Sequence, residues 1–220
     1  MAHAQGAGAI RSHDVAEGEI VRVLVACEFS GIVRDAFRAR GHDAWSCDLL
    51  PTEREGPHIR DDVLKHLDDG WDLMIAHPPC TYLSRTSEQW LKKQEGRWDK
   101  MVESAGFFKS FLNANISQIA IENPMPHQHA MKIIGRRFTQ SVNPNQFGDA
   151  ATKKTCLWLR NLPALMDTIT VRPEMVLSKR SGREWGKWFW DSSMLKGEER
   201  AKFRSRTFPG LANAMAEQWG

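Results

Sequence analysis

Short runs of apolar residues alternate with stretches of helical spacing over the first part of the chain. The run at positions 20–27 (IVRVLVAC) is rich in β-branched residues and predicts a buried strand. Positions 32–40 then place apolar side chains at helical spacing, and Gly41 is expected to end this helix. Positions 43–47 predict a second strand. The pattern therefore opens as strand, helix, strand.

The same alternation continues as far as position 121. Positions 71–76 (WDLMIA) predict a third buried strand, positions 98–113 an amphipathic helix, and positions 117–121 a fourth strand. Strands that alternate with helices favour a parallel sheet covered by helices on both faces. The predicted fold class is therefore α/β, with a doubly wound, Rossmann-like, mostly parallel sheet.

The pattern changes after Pro126. Positions 138–142 and 155–159 are strand-like and are separated by a turn rich in Gly, Asn and Asp, so they predict an antiparallel pair. Positions 208–219 predict a short closing helix. The C-terminal part of the sheet is thus expected to differ from the parallel part.

Length and composition favour one domain. The 220 residues, of which 41% are hydrophobic and 26% charged, suit a globular domain with a sizeable core. Positions 1–19 are expected to form a flexible lead-in, and positions 20–220 a single domain with a small, basic, Trp-rich lobe at about 167–206. No stretch approaches the ~20 apolar residues of a membrane span and no apolar signal core is present, which predicts a cytoplasmic protein.

Polar residues follow the predicted strands directly. Positions 28–31 (EFSG) follow the first strand, Asp48 the second, Pro78–Cys80 the third and Glu122 the fourth. The carboxyl ends of parallel strands meet at one edge of a sheet, and ligands bind outside that edge. We therefore expect these residues to converge on one site.

Cys80 and Glu122 are the residues at these strand ends that can carry chemistry. Two prolines hold Cys80 in a stiff, extended segment, where the thiol is either a nucleophile or an ordinary turn cysteine. Glu122 follows a buried strand and precedes Asn-Pro, where it is either an acid or a structural cap. Together the two side chains would place a nucleophile and an acid in one crevice.

The charge pattern leaves two interpretations of the C-terminal region open. A net charge of +3, from 30 basic and 27 acidic residues, is too small to indicate nucleic-acid binding by itself. Basic residues become dense after Lys153, and Trp185, Trp188 and Trp190 lie among them. The basic run is either a solvated face or a phosphate-contacting surface, and the tryptophans either stack on bases or pack a small core.

The cysteines and histidines do not indicate a metal site. Cys27, Cys47 and Cys156 lie in apolar runs and are expected to be buried, reduced thiols. His127 and His129 are two residues apart, but no Cys-x-x-Cys pair accompanies them. The sequence therefore predicts no metal.

From about Val21 to the C-terminus, the order of motifs resembles that of DNA (cytosine-5)-methyltransferases, in particular the compact forms of bacteriophages. Positions 28–31 are similar to the family's cofactor turn, Asp48 to its ribose-holding acid, and Asp62-Val63 to the pair beside the adenine. The resemblance implies a methyltransferase fold that uses S-adenosyl-L-methionine. The residues implied to bind this cofactor are Glu28, Phe29, Ser30, Gly31, Asp48, Asp62, Pro78 and Asn213.

The same resemblance implies how a cytosine would react. Pro78-Pro79-Cys80 with Ser84 is similar to the family's nucleophile loop. Glu122-Asn123 is similar to the pair that contacts cytosine, and Lys153-Lys154-Thr155 to the Arg-x-Arg segment. Cys80 would attack carbon-6 while Glu122, its pKa raised by burial, gives a hydrogen bond or proton to N3, and carbon-5 takes the methyl group. The implied catalytic residues are Cys80, Glu122 and Lys153, and the implied substrate-binding residues are Ser84, Asn123, Arg180 and Arg183.

The sequence departs from the family pattern in several places. Val33-Arg34 stands where a second glycine pair is usual, Thr81 where Gln is usual, and Thr155 where the second Arg is usual. The recognition lobe is also much shorter than a typical recognition domain. The expected partner is DNA, duplex or single-stranded, while modification of a free cytosine nucleotide and a catalytically inactive DNA-binding homologue remain alternatives. No oligomeric state is predicted.

Overall fold

The computed structural model describes residues 19–220, so the predicted lead-in lies almost wholly outside the described residues. The first seven strands form one sheet, and the last two a separate hairpin. The strands are β1 Arg22–Ala26, β2 Asp43–Cys47, β3 His58–Ile59, β4 Leu73–Ala76, β5 Gln118–Pro124, β6 Gln140–Val142, β7 Thr155–Arg160, β8 Met175–Leu177 and β9 Glu184–Gly186. The α-helices are α1 Ile32–Arg38, α2 Arg97–Asn113, α3 Gln128–Ile134, α4 Lys187–Met194, α5 Gly197–Ser205 and α6 Pro209–Trp219.

The seven-stranded sheet has the order β3-β2-β1-β4-β5-β7-β6. Strands β1 to β5 pair in parallel, and β7 runs antiparallel to both of its neighbours, β5 and β6. The prediction of an α/β protein with a mostly parallel sheet is therefore confirmed, as is the antiparallel pair β6–β7. The strand order reverses between β1 and β4, which is where such sheets open a crevice for a ligand.

Alternate residues of each central strand are buried in two separate cores. In β1, Leu24 and Ala26 belong to the core that includes residues of α2 and α3. Val23 and Val25 belong to the core that includes residues of α1 and α6. Because the side chains of a strand alternate between its faces, each central strand must be apolar on both sides. This explains why the central strands appear in the sequence as continuous apolar runs.

The region that was predicted as a recognition lobe consists of the β8–β9 hairpin followed by α4 and α5. Trp188 lies at its base, with its ring 5.8 Å from that of Phe203 and 5.5 Å from that of Phe208. Trp185 and Phe189 instead stack on one another at 5.5 Å and remain 38% and 40% exposed. Trp188 therefore packs against other aromatic rings of the lobe, whereas Trp185 and Phe189 remain partly exposed to solvent.

Some predicted bounds differ from those observed. The first strand begins at Arg22, and β5 continues past the predicted end to Pro124 because it pairs along its length with β7. The pattern did not predict β3, which has two residues, or α3, which has seven. Among the described residues, no helix is long and apolar enough to cross a membrane.

Candidate active site

The register of the parallel strands brings the polar strand ends together. Ala26 of β1 lies beside Cys47 of β2 and beside Ala76 of β4, and Ala76 lies beside Ile121 of β5. The residues that follow these four positions therefore emerge at one edge of the sheet. This confirms the predicted convergence, and it places Cys80 and Glu122 on adjacent strand ends.

Four hydrogen bonds from the end of β5 hold the loop that carries Cys80. The amide of Asn123, which is 1% exposed, donates a hydrogen bond to the carbonyl oxygen of Pro78 at 2.8 Å. The carbonyl oxygen of Met125 accepts from the backbone N–H of Arg85 at 2.8 Å, and His127 bonds the carbonyl oxygens of residues 82 and 83. Ser84 forms an isolated bridge with Pro126. These contacts fix the loop that carries Cys80, and Asn123, which was predicted to contact the substrate, holds this loop.

Glu122 is paired on two sides. Its Oε2 lies 3.0 Å from Nδ1 of His77, and the two side chains are only 11% and 7% exposed. Burial by itself would raise the pKa of Glu122, but the Lys153 ammonium and the hydrogen bonds from His77 and Thr155 outweigh it and lower the pKa to about 2. The expectation of a raised pKa for Glu122 is wrong, because it considered burial alone and took no account of these partners. Glu122 is a carboxylate in the unliganded protein.

Cys80 is a thiol rather than a thiolate in the unliganded protein. Burial raises its pKa above the usual value, the positive charges of Lys153 and Arg204 oppose that rise, and the negative charge of Glu122 adds to it. A protein that uses Cys80 as a nucleophile must therefore shift this balance when substrate binds. Neutralising Glu122 would lower the pKa of the Cys80 thiol, whereas removing more solvent would raise it further.

Lys153 precedes β7 and faces the crevice from the side opposite His77. Its ammonium donates a hydrogen bond to the carbonyl oxygen of Arg204 at 3.0 Å and lies 5.7 Å from the centre of the Trp188 ring. The Arg204 guanidinium lies 5.5 Å from the same ring. The base of the lobe thus presents two cations, Lys153 and Arg204, whose charges both act on Cys80. The basic run of the sequence did not single out Arg204.

The turn after β1 is held by its own buried side chains. The Glu28 carboxylate accepts hydrogen bonds from the backbone N–H groups of Val33 at 2.7 Å and Arg34 at 3.2 Å, so it caps α1. The Ser30 hydroxyl also donates to Glu28, at 3.1 Å. Gly31 has a φ of 71°, and an added Cβ there would lie 2.5 Å from the guanidinium of the fully buried Arg34. Glu28 and Ser30 therefore shape this turn with side chains that point inward.

Three successive backbone N–H groups of the turn have no hydrogen-bond partner among the described residues. No hydrogen bond within residues 19–220 uses the N–H of Phe29, Ser30 or Gly31. Cys27, which leads into the turn, has a φ of 58°, a conformation that costs a non-glycine residue of the order of 1–3 kcal/mol. Successive unpaired N–H groups form a concave site that suits a carboxylate.

Two acidic residues lie on the β1–β2 side of this turn. Asp48 and Asp62 both act electrostatically on the thiol of Cys27, whose pKa burial raises strongly. Burial also raises the pKa of Asp48. Asp62 caps the 3-10 turn Val63–Lys65 through a 3.0 Å hydrogen bond from the N–H of Leu64. The two carboxylates thus lie near Cys27, where the turn begins.

Other predicted site residues lie farther from the crevice. Arg180 and Arg183 occupy the exposed tip of the β8–β9 hairpin. Asn213 lies on the exposed side of α6, whose buried side belongs to the same core as α1. The structure gives Arg180, Arg183 and Asn213 no contact with Cys80 or Glu122.

Two cavities differ in their relation to the site. A groove of about 630 Å³ runs past the nucleophile loop and is lined by Leu64, Pro79, Tyr82 and Phe107 among others. A cavity of about 660 Å³ lies at the opposite edge, where residues 113–117 lead into β5. The groove adjoins the candidate site and the cavity does not.

Comparisons with known proteins add little to this geometry. No family model and no curated protein sequence matches the chain. The chain is similar to two crystal structures of WbdD, one at 2.2 Å resolution and one with the kinase inhibitor LY294002. Sequence identity is 10% and 11%, and the TM-scores are 0.39 and 0.37. Each alignment covers 86% of this chain and 49% of the WbdD chain, so this chain spans about half of that protein's length.

Proposed function

We propose that this chain transfers a methyl group from S-adenosyl-L-methionine to carbon-5 of a cytosine in DNA, with Cys80 as the nucleophile. One observation carries the proposal: Cys80, Glu122 and Lys153, from three separate parts of the chain, act on one another in a single crevice at the carboxyl edge of the sheet. The strand order 3-2-1-4-5 of the parallel part also supports a Rossmann-like methyltransferase fold.

The chain's own residues would divide the work in the following way. Cytosine carbon-5 becomes nucleophilic when the Cys80 thiolate adds to carbon-6. Lys153 stabilises both the thiolate and the Glu122 carboxylate, and Glu122 holds the N3 edge of the base. Asn123 positions Cys80 by fixing the Pro78 carbonyl group.

The residues around the β1 turn fit the proposed cofactor. The N–H groups of Phe29, Ser30 and Gly31 would bind its carboxylate, and Asp48 and Asp62 its ribose and adenine. When bound, S-adenosyl-L-methionine supplies a methyl group on a positively charged sulfur. Because β1 and β4 are neighbours, the turn and the nucleophile loop open into the same crevice.

The hairpin supports DNA as the partner. Arg180 and Arg183 lie exposed at its tip, and the stacked pair Trp185 and Phe189 lies exposed at its base. Cations beside exposed aromatic rings suit phosphates and unstacked bases, and an enzyme that modifies a base must take it out of the duplex.

A free cytosine nucleotide is the second candidate substrate. Lys153 and Arg204 both act on Cys80, and a pair of cations so close to the nucleophile could hold a single phosphate. The intact Cys80 and Glu122 argue against a catalytically inactive homologue, because DNA binding alone requires neither residue.

One experiment separates these candidates. The protein is incubated with labelled S-adenosyl-L-methionine and, in parallel, duplex DNA, single-stranded DNA and dCMP. We expect label in DNA, no label with Cys80→Ser, and near-normal transfer with the buried-thiol control Cys156→Ala. DNA that contains 5-fluorocytosine should trap the wild type as a denaturation-resistant adduct. Transfer by Cys80→Ser would exclude the covalent mechanism, and label in dCMP alone would favour the nucleotide.

A further inference from the structure

His77 contacts Glu122, the residue that is proposed to interact with N3 of the cytosine. It follows β4 and precedes the Pro78-Pro79-Cys80 loop, and its Nδ1 is 3.0 Å from Oε2 of Glu122. Its side chain is 7% exposed, and its Nε2 is buried without a hydrogen-bond partner among residues 19–220. One ring nitrogen of this buried imidazole contacts a carboxylate and the other has no partner. A buried polar atom without a partner lowers the stability of the fold, so such an atom calls for a functional explanation.

The proposed reaction requires a proton at N3 of the cytosine, and Glu122 cannot supply this proton alone. When the Cys80 thiolate adds to carbon-6, negative charge develops on the ring and N3 takes up a proton. In the proposed reaction Glu122 would face N3 as a carboxylate, so it would have no proton of its own to give. A second group must therefore supply that proton.

The groups around Glu122 leave one candidate. Lys153 and Thr155 approach it from the β7 side, His77 approaches it from the β4 side, and the charge of Glu122 also acts on Cys80. The positive charge of Lys153 stabilises both the Glu122 carboxylate and the Cys80 thiolate. Lys153 would lose this role if it gave up its proton. His77 hydrogen-bonds Glu122 directly, and an imidazole can carry a proton on each ring nitrogen and give one up to become neutral.

We propose that His77 supplies, through Glu122, the proton that cytosine N3 takes up as Cys80 attacks; this inference rests on the proposed function. The sulfur–carbon-6 bond forms, the carbon-5–carbon-6 π pair moves to the carbon-4–carbon-5 bond, and the carbon-4–N3 π pair moves onto N3, which takes a proton from Glu122. Glu122 takes the Nδ1 proton of His77, which becomes a neutral imidazole protonated on Nε2. After methyl transfer, water takes the carbon-5 proton, the electron pair of that bond re-forms the carbon-5–carbon-6 double bond, and Cys80 is expelled as a thiolate. The N3 proton then returns by the same route, so the pair is restored.

The test compares pH profiles of adduct formation on 5-fluorocytosine DNA. In the wild type, a rising limb reports the Cys80 thiolate and a falling limb reports loss of the His77 proton. His77→Asn keeps a hydrogen-bond donor near Nδ1 but has no proton to give. We expect its rate to fall on the order of 10²- to 10⁴-fold and its falling limb to disappear. His42→Asn, which changes a half-buried histidine just before β2, at the opposite edge of the sheet, should keep both limbs.

A second variant, His77→Ala, distinguishes loss of the proton donor from a purely structural effect of the substitution. Added imidazole should restore part of the rate to His77→Ala and none to Glu122→Gln. A His77→Asn profile that keeps its falling limb, or a rate within a few-fold of the wild type, would overturn the role of His77. A wild type that forms no adduct and transfers no methyl group to any cytosine would instead overturn the proposed function.

Discussion

Arg206 binds both carboxylate oxygens of Glu53, at 2.7 and 2.6 Å. Arg206 follows the last helix of the lobe, and Glu53 belongs to the loop that covers the β1 turn, where its N–H donates to the carbonyl oxygen of Phe29 at 2.9 Å. The buried Arg34 guanidinium holds the same loop through the carbonyl oxygens of residues 54 and 55. The ion pair therefore links the lobe to the proposed cofactor site.

Breaking this ion pair should affect cofactor binding more than folding. Both side chains are about one-third exposed, so solvent screens the pair and Arg206→Gln should cost only about 1 kcal/mol of unfolding free energy. The freed loop should weaken S-adenosyl-L-methionine binding several-fold, as measured by calorimetry. Arg40→Gln, which breaks a single 3.4 Å contact with Glu217, is the control and should leave affinity unchanged. Equal affinities in both variants would show that the link is structural only.

Alkylation of Cys80 should respond to its two charged neighbours in opposite directions. Lys153 lowers the pKa of the Cys80 thiol and Glu122 raises it, against the larger effect of burial. Lys153→Met should therefore slow the reaction with iodoacetamide at pH 8, and Glu122→Gln should speed it up, because only the thiolate reacts. Mass spectrometry of the Cys80 peptide gives the rates, and Cys80→Ser gives the background. The same direction of change in both variants would contradict this electrostatic account.

Glu122 should make the protein's stability depend on acidity in a narrow window. Its pKa falls from an ordinary 4.5 to about 2 on folding, so its stabilisation is complete above pH 4.5 and is lost as the pH falls toward 2. The loss is up to about 3 kcal/mol, since one pKa unit corresponds to about 1.4 kcal/mol. Urea unfolding at several pH values should show this slope in the wild type and a shallower one in Glu122→Gln. Parallel curves for the two proteins would mean that Glu122 is not paired in this way.

Asp48 and Asp62 should contribute to cofactor affinity independently of catalysis. Loss of either carboxylate leaves polar groups of the ribose or adenine without a partner, which costs about 1–3 kcal/mol. Calorimetry of Asp48→Ala and Asp62→Ala should show this loss, with Asp68→Ala, an exposed residue near the opposite edge of the sheet, as a control. Wild-type affinity in both variants would place the cofactor elsewhere.

DNA binding should depend on salt through the hairpin tip. Each phosphate contact releases counterions, so neutralising Arg180 and Arg183 together should reduce the slope of log affinity against log salt by roughly two units. The matched control is Arg38→Gln with Arg40→Gln, a pair of arginines at the far end of α1. An unchanged slope in the hairpin variant would show that DNA binds to a surface other than the hairpin.

The sequence by itself determined the parallel core and the place of the site. Strand β2 has the predicted bounds Asp43–Cys47, and β4 lies within the predicted run 71–76. Buried central strands are apolar on both faces, so they stand out as continuous runs that end in turns. Residues directly after such runs must lie at one edge, and for this reason the convergence of Cys80 and Glu122 could be predicted from position alone.

The short elements and the C-terminal lobe were decided by tertiary contacts. Strand β3 has two residues and exists because it pairs with the end of β2. Helix α5 has no buried residue, so no apolar stripe marks it in the sequence. When a helix or strand is stabilised mainly by the elements that it contacts, its own residues show only a weak hydrophobic pattern in the sequence.

The chemical state of the site was also decided by tertiary structure. The sequence places a carboxylate at position 122, but His77 lies 45 residues away and Lys153 approaches from another strand. Electrostatic energy depends on the distance between charges and on how much solvent lies between them, and sequence spacing carries neither quantity. The sequence therefore determined which groups meet at this edge, and only the folded chain determined that Glu122 is ionised, that Asn123 holds the nucleophile loop, and that Arg204 joins Lys153 beside Cys80.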